Sequence, residues 1–256
     1  MSAKLSAIIP TLNEEENLRE CLESVRWADE VLVVDSFSQD HTVEIAREFG
    51  ARVVQHEYVN SAAQKNWAIP LAVHPWVLIV DADERVTLDL RKEIREILLV
   101  DPPFDGYWIR RTNHFLGHRM EHCGWETDRV IRLFRRDLAR YQDREVHAEI
   151  DLPGRTLVLR NPLLHYSFRS FRQYWRKMEI YSDWGASQLR REGKSAGWIS
   201  IALRPPIRFL KMYVVRLGFL DGIHGLVLCS LAAFTVFLKY AKLWELRRED
   251  SPARKP

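Results

Sequence analysis

The sequence predicts an α/β fold, a mostly parallel sheet flanked by helices, followed by an amphipathic helical region. Three observations predict it. Short runs of continuous Val, Ile and Leu alternate with helical spacing through the N-terminal part, as strands covered on both faces require. From Gly106 to Arg160 the pattern changes to separate strands with polar connections. Beyond Phe168 the chain is helical, basic and rich in aromatics.

Each element follows from its own pattern. Leu5–Pro10 reads as a short buried strand, and Leu18, Leu22 and Val25 give Glu15–Val25 one apolar helical face. Val31–Val34 is a second strand ending at Asp35, and Asp40 or Thr42 can cap a helix running through Phe49. Arg52–Gln55 is a strand, Ser61–Ile69 a helix, Trp76–Val80 a strand ending at Asp81, and Leu88–Leu99 a helix. Tyr107–Arg111, Val130–Phe134 and Thr156–Leu159 are the later strands. Ligands of such sheets bind beyond the carboxyl ends of the strands, and Asn13, Asp35 and Asp81 all follow strand ends.

Composition narrows the class. The 256 residues are 46% hydrophobic and 29% charged, enough to bury a core without disulfide or metal. Cys21, Cys123 and Cys229 are scattered and form no CxxC, which suits a reducing compartment. The apolar stretch at Leu5–Pro10 is too short for a signal peptide, so a cytoplasmic protein is expected. The net charge of +3 hides an asymmetry, because residues 160–256 hold 18 Lys/Arg against 7 Asp/Glu, leaving 20 against 28 before them. An acidic half suits a metal with a phosphorylated ligand; a basic, aromatic half suits an anionic surface. Nucleic acid is not expected as a partner, since the basic residues are interleaved with long aliphatic ones and no recognised module is visible.

The motif that carries most chemistry is Val80-Asp81-Ala82-Asp83-Glu84. In an extended segment residues two apart share a side, so Asp81 and Asp83 would bracket one cation, Mg²⁺ or Mn²⁺, bound with a diphosphate. Neither GxGxxG nor GxxxxGK[ST] is present, which removes dinucleotide binding and P-loop ATPases. A haloacid-dehalogenase-like phosphatase places its Asp-x-Asp on the first strand, whereas here it follows the fourth.

The set Ser6–Glu15, Val33-Val34-Asp35-Ser36, Gln64-Lys65-Asn66 and Val80–Asp83 resembles glycosyltransferase family 2. Downstream, Gly124-Trp125 with Asp128, Ile131–Arg135, Val146-His147 and Leu164–Ser167 are similar to the lipopolysaccharide inner-core β-glucosyltransferase branch. The resemblance implies a GT-A, Rossmann-like fold and an inverting, metal-dependent transfer from a nucleotide-sugar, glucose from a UDP-sugar, in cell-envelope biosynthesis. It implies that Pro10, Thr11, Asn13 and Glu14 line the nucleoside pocket and that Asp35 accepts bonds from base or ribose. Lys65 and Asn66 would contact the donor, Asp81 the ribose or sugar, and Asp83 the metal, with His165 as a third ligand or phosphate donor.

Inversion needs a general base to deprotonate the acceptor hydroxyl. Asp128, Asp143, Glu145 and Glu149 remain open for that role; where relatives read Val-His-Glu, this chain reads Val146-His147-Ala148-Glu149. His114, His118 and His122 with Cys123 lack a helix to align them for zinc, and 113–128 is read instead as an acceptor loop. The expected organisation is a catalytic domain over 1–165, a helical membrane-interface or acceptor region over 166–246 and a polar tail over 247–256. Pro205 is expected to start a helix with Ile207, Leu210, Val214 and Leu217 on one face. Gly225–Leu238 carries no charge over 14 residues, short of the roughly 20 that span a bilayer. Two readings stay open for this region: helices lying on the inner face of the cytoplasmic membrane, against anionic lipid, or an ordinary helical subdomain. A glycolipid or lipopolysaccharide-core acceptor fits the first. Rivals in function are a nucleotidyltransferase and a non-catalytic membrane scaffold with a decayed nucleotide site.

Overall fold

The computed structural model of the protein describes residues 3–142 and 149–250. In chain order its elements are β1 (Leu5–Thr11), α1 (Glu15–Val25), β2 (Glu30–Asp35), α2 (Thr42–Glu48), β3 (Arg52–Gln55), α3 (Ser61–Ala68), β4 (Trp76–Ile79), β5 (Glu84–Val86) and α4 (Leu88–Leu99). There follow β6 (Gly106–Phe115), β7 (His118–Arg119), β8 (Arg129–Arg135), β9 (Arg140–Tyr141), β10 (Ile150–Asp151), β11 (Thr156–Val158) and β12 (Leu163–Phe168). Three helices close the described chain: α5 (Phe171–Arg191), α6 (Trp198–Leu210) and α7 (Gly222–Asp250). The chain divides into two compact units, residues 1–112 with 127–166, and residues 113–126 with 167–256.

The first unit is built on one twisted sheet in the order β3-β2-β1-β4-β8-β6-β12-β5, with β11 beside β6. β1 through β4 pair in parallel, and β8 joins them antiparallel to both β4 and β6. The runs of Val, Ile and Leu are buried because both faces are covered. Ala7, Ile9, Val33 and Leu78 pack against Leu18 and Leu22 of α1 and Leu90 and Ile94 of α4. Their neighbours Ile8, Leu32, Val34 and Val77 face the other way, toward Ala68, Ile69 and Phe134.

Local chemistry sets the helix starts. Asn60 accepts the Ala63 N–H at 2.8 Å to open α3, and Thr87 accepts the Leu90 N–H at 3.1 Å to open α4. Neither residue expected at the start of α2 is its cap: His41 takes that position without a side-chain bond. The Asp40 carboxylate instead accepts from the Thr42 N–H at 3.0 Å and hydroxyl at 2.5 Å. The Thr42 hydroxyl in turn accepts from the Glu14 N–H at 2.8 Å, tying the start of α1 to that of α2.

In the second unit, Phe115, Met120, Cys123, Tyr174, Met178, Met212, Leu228 and Cys229 form one core, and Ala186, Ala196, Tyr240 and Leu243 another. Pro205 and Pro206 lie inside α6, not at its start, which is capped by Gly197. Two prolines withhold two N–H groups from the preceding turn. α6 tolerates this because it has no fully buried residue, so solvent can satisfy the freed carbonyls. A π-helical turn, Lys211–Val215, and a 3₁₀ turn, Gly218–Asp221, form the corner that joins α6 to α7. There Gly225 sits against the carbonyl of Gly218, with no room for a Cβ. Asp221 is buried and accepts the N–H groups of Glu121 at 3.2 Å and His122 at 3.0 Å, so residues 120–123 are anchored to the corner. Among the described residues no group of three or more His, Cys, Asp or Glu is arranged to hold a metal. His118 stacks on His224 at 4.3 Å, while His122 pairs with Asp221.

Candidate active site

The carboxyl ends of β1, β2 and β4 lie side by side because their registers run together: Thr11 opposite Asp35, Ile8 opposite Ile79. What each rim residue does there follows from its partners. Asp35 is fully buried, and its two oxygens take four bonds from inside the chain. The donors are the Thr11 hydroxyl at 3.2 Å, the Ser38 N–H at 3.0 Å and hydroxyl at 2.5 Å, and the Gln55 amide at 3.1 Å. Asp35 therefore holds the β2 loop in shape. Asn13 adopts φ 55°, and its side chain accepts the Gln39 N–H at 2.8 Å while its own N–H donates to the Ser38 hydroxyl at 2.8 Å. Pro10 is half-buried, and Glu14 accepts from the Asn17 amide at 2.8 Å.

Asp81 and Asp83 do not share an extended segment. β4 ends at Ile79, and residues 81–84 make a turn closed by the Glu84 N–H on the Asp81 carbonyl at 2.8 Å. The buried Arg85 pins that turn through the carbonyls of Ala82 at 2.8 Å and Glu84 at 2.7 Å. The turn sends the two carboxylates to different partners. Asp81 binds Lys65 Nζ at 2.8 Å through one oxygen and Arg132 through the other. Burial pushes its carboxyl up, but Arg132 and Lys65 outweigh this and hold it well below the usual carboxylate range. Asp83 instead faces His165 Nε2 at 3.6 Å. That meeting depends on β5 and β12, whose antiparallel register sets His165 opposite Glu84, with the Tyr166 N–H on the Asp83 carbonyl at 2.9 Å.

A row of alternating charge continues from Asp81. Arg132 also donates to Glu84 at 2.7 Å, Glu84 accepts from Arg111 at 3.4 Å, and Arg111 holds Asp128 through two bonds of 2.9 and 2.8 Å. Glu84 is fully buried, and its second oxygen accepts the Asp81 N–H at 3.0 Å. Burial lowers the affinity of Arg132 for its proton, but Asp81 and Glu84 raise it further, so Arg132 stays charged although only 3% exposed. Its Nε is buried without a partner. The pattern of β8 held the signal for Arg132: of its three arginines it alone is set within the apolar run Ile131, Leu133 and Phe134, where a cation needs buried carboxylates.

The remaining expected site residues divide. Lys65 is buried, on Asp81 and 5.4 Å from the Tyr141 ring. The Asn66 side chain is spent on the backbone of Tyr141, donating to its carbonyl at 2.8 Å and accepting its N–H at 2.7 Å. It therefore serves as a clip between α3 and β9. Asp128 is engaged at both oxygens by Arg111. Glu149 is exposed, its carbonyl accepting the Gln142 N–H at 2.9 Å next to the antiparallel pairing of β9 with β10. Glu145 and Asp143 lie outside the described residues.

Residues 6–151 match the family described as Glycosyl transferase family 2. An uncharacterized glycosyltransferase of Rickettsia typhi is 32% identical over 95% of this chain and 87% of its own length. The lipopolysaccharide core biosynthesis glycosyltransferase LpsC of Rhizobium meliloti is 29% identical over 94% of this chain and 92% of its own. Among solved structures, S. aureus TarS 1–349 in complex with UDP-GlcNAc matches 98% of this chain and 93% of that one, with a TM-score of 0.50 at 15% identity. That likeness concerns the fold, a GT-A sheet with flanking helices.

Proposed function

Because the chain belongs to glycosyl transferase family 2, we propose that it is an inverting hexosyltransferase. It takes a sugar, glucose from a UDP-sugar, to a lipopolysaccharide-core or lipid-linked glycan on the inner face of the cytoplasmic membrane. The acceptor class is supported by the similarity to LpsC, a lipopolysaccharide core biosynthesis glycosyltransferase. The single observation that carries the donor site is the apposition of Asp83 and His165 beside the Asp81 clamp.

Asp83 and His165, a hard carboxylate and an imidazole 3.6 Å apart, would hold a divalent cation. Asp81 does not fit, since both its oxygens are held by cations. When bound, Mg²⁺ or Mn²⁺ neutralises charge on the leaving diphosphate. The chain's own residues supply the rest. Asp81 orients Lys65 and Arg132, so that cationic groups are already fixed where negative charge develops. Asn13 and the Asp35 network shape the loops that receive the nucleoside. Glu149 is the base that removes the acceptor proton, in preference to Asp128, whose oxygens are engaged, and to Glu145.

Incubation with UDP-glucose and a core oligosaccharide acceptor tests this. The expected products are UDP and a β-glycoside, and release of pyrophosphate would indicate nucleotidyl transfer instead. Asp83→Ala should abolish transfer with the fold intact, and Glu149→Gln should slow it by about 10² or more, as loss of a general base does. Full activity of Asp83→Ala, or of the unmodified protein in excess chelator, would reject the metal role.

A further inference from the structure

The corner between α6 and α7 carries an unusual surface. On α6, Ile199, Leu203, Ile207 and Leu210 recur at helical spacing and are 52–61% exposed. At the corner, Val215 is 71% exposed, Leu220 58% and Ile223 65%, with Leu217 and Phe219 also in solvent. A helix that buries none of its residues while showing a strong apolar face is not stabilised as an ordinary core element.

The charges on the same surface select what covers it. Arg204, Arg208, Lys211 and Arg216 are all exposed, the first three on one flank of the apolar stripe. The one carboxylate of residues 198–223, Asp221, is turned inward onto the Glu121 and His122 N–H groups. Arg216 is paired with Glu126 at 3.6 Å, but an apolar wedge flanked by Arg204, Arg208 and Lys211 complements acyl chains below a layer of anionic headgroups. The helical segment Gly218–Arg248, most of it α7, is long and apolar enough to cross a membrane. Yet Leu228, Cys229, Tyr240 and Leu243 on one of its sides are buried in protein, and Lys242 is tied to Asp183 at 2.6 Å.

We propose that the α6–α7 corner is a membrane-docking wedge that lies in the plane of an anionic bilayer. Val215, Leu217, Phe219, Leu220 and Ile223 enter the headgroup–acyl boundary, and Arg204, Arg208 and Lys211 meet lipid phosphates. This deepens the membrane part of the proposed function and does not depend on the sugar chemistry.

The test uses the full chain with vesicles of phosphatidylcholine, with and without a quarter phosphatidylglycerol, in the absence of nucleotide. Sedimentation should show binding to the anionic vesicles that weakens with salt. Phe219→Ser/Leu220→Ser should reduce it about tenfold or more, in proportion to the apolar area withdrawn from lipid. Arg208→Glu/Lys211→Glu should remove the preference for phosphatidylglycerol. Both variants alter exposed side chains, so their melting curves should match the unmodified protein. A UDP thermal shift measured without lipid reports the donor site separately, so either idea can fail alone. Unchanged vesicle binding in the serine variant would overturn the wedge. So would retention on the membrane through alkaline carbonate, which means spanning. A solution dimer that the serine substitutions dissociate would equally overturn it, since a second copy then covers the face.

Discussion

Glu84→Gln examines the charge row directly. Glu84 is fully buried and accepts from Arg132 at 2.7 Å, from Arg111 at 3.4 Å and from the Asp81 N–H at 3.0 Å. Glutamine keeps the volume but removes the charge, and its NH₂ must point at a donor on one side or the other. Breaking a buried ion network from one side costs about 3–5 kcal/mol, because the row is left with one more cation than carboxylate. In a chain of this length that is a fall in melting temperature on the order of 10 °C. Calorimetry with urea unfolding measures it. The double variant Glu84→Gln/Arg132→Met should recover part of the loss, since it restores equal numbers of cations and carboxylates along the row. A melting temperature for Glu84→Gln within about 2 °C of the unmodified protein, well inside the scatter of surface substitutions, would refute the reasoning.

Other perturbations follow from the same accounting. Asn66→Ala leaves the Tyr141 N–H and carbonyl without their partners and should destabilise by about 1–3 kcal/mol, read from the urea midpoint. Asp221→Ala should cost a similar amount, about 1–3 kcal/mol, by freeing the Glu121 and His122 N–H groups. Burial raises the Glu30 carboxyl, but bonds from Ser6, the Val73 N–H and Arg52 outweigh it, so it titrates below its ordinary 4.5. Its contribution is complete above about pH 5 and is lost as pH falls through the folded value, so Glu30→Gln should flatten the acid limb of a stability–pH curve. His165→Ala should lower transfer as Asp83→Ala does, while leaving the vesicle binding of the α6–α7 corner unchanged.

The parallel half of the fold was legible because its strands are continuous apolar runs, a pattern that only a doubly covered sheet requires. Glu15–Val25, Arg52–Gln55 and Leu88–Leu99 are elements with the boundaries the spacing predicts. β5 was not legible: three residues, Glu84-Arg85-Val86, carry no strand signature and become one only by pairing with Leu163–His165, almost eighty positions away. The same distance hid the meeting of Asp83 and His165. Asp81 and Asp83 were visible as a pair, but their divergence is decided by Arg85, whose guanidinium curls the turn from below. Arg111 and Arg132 escaped notice as site residues because an arginine in a strand usually reaches solvent. Here carboxylates on neighbouring elements draw them inward. α6 continues through Pro205 and Pro206, where sequence reasoning begins a helix, because what precedes them is already helical from Trp198.

The glycine contact at the corner has a cost-saving side. With Gly225 lodged on the Gly218 carbonyl, the backbone is seated so closely that the turn has little freedom left to surrender. Its entropy loss is met during folding, before any partner arrives. Replacement of either glycine by alanine would thus leave every exposed side chain in place chemically, yet loosen the frame that aims them.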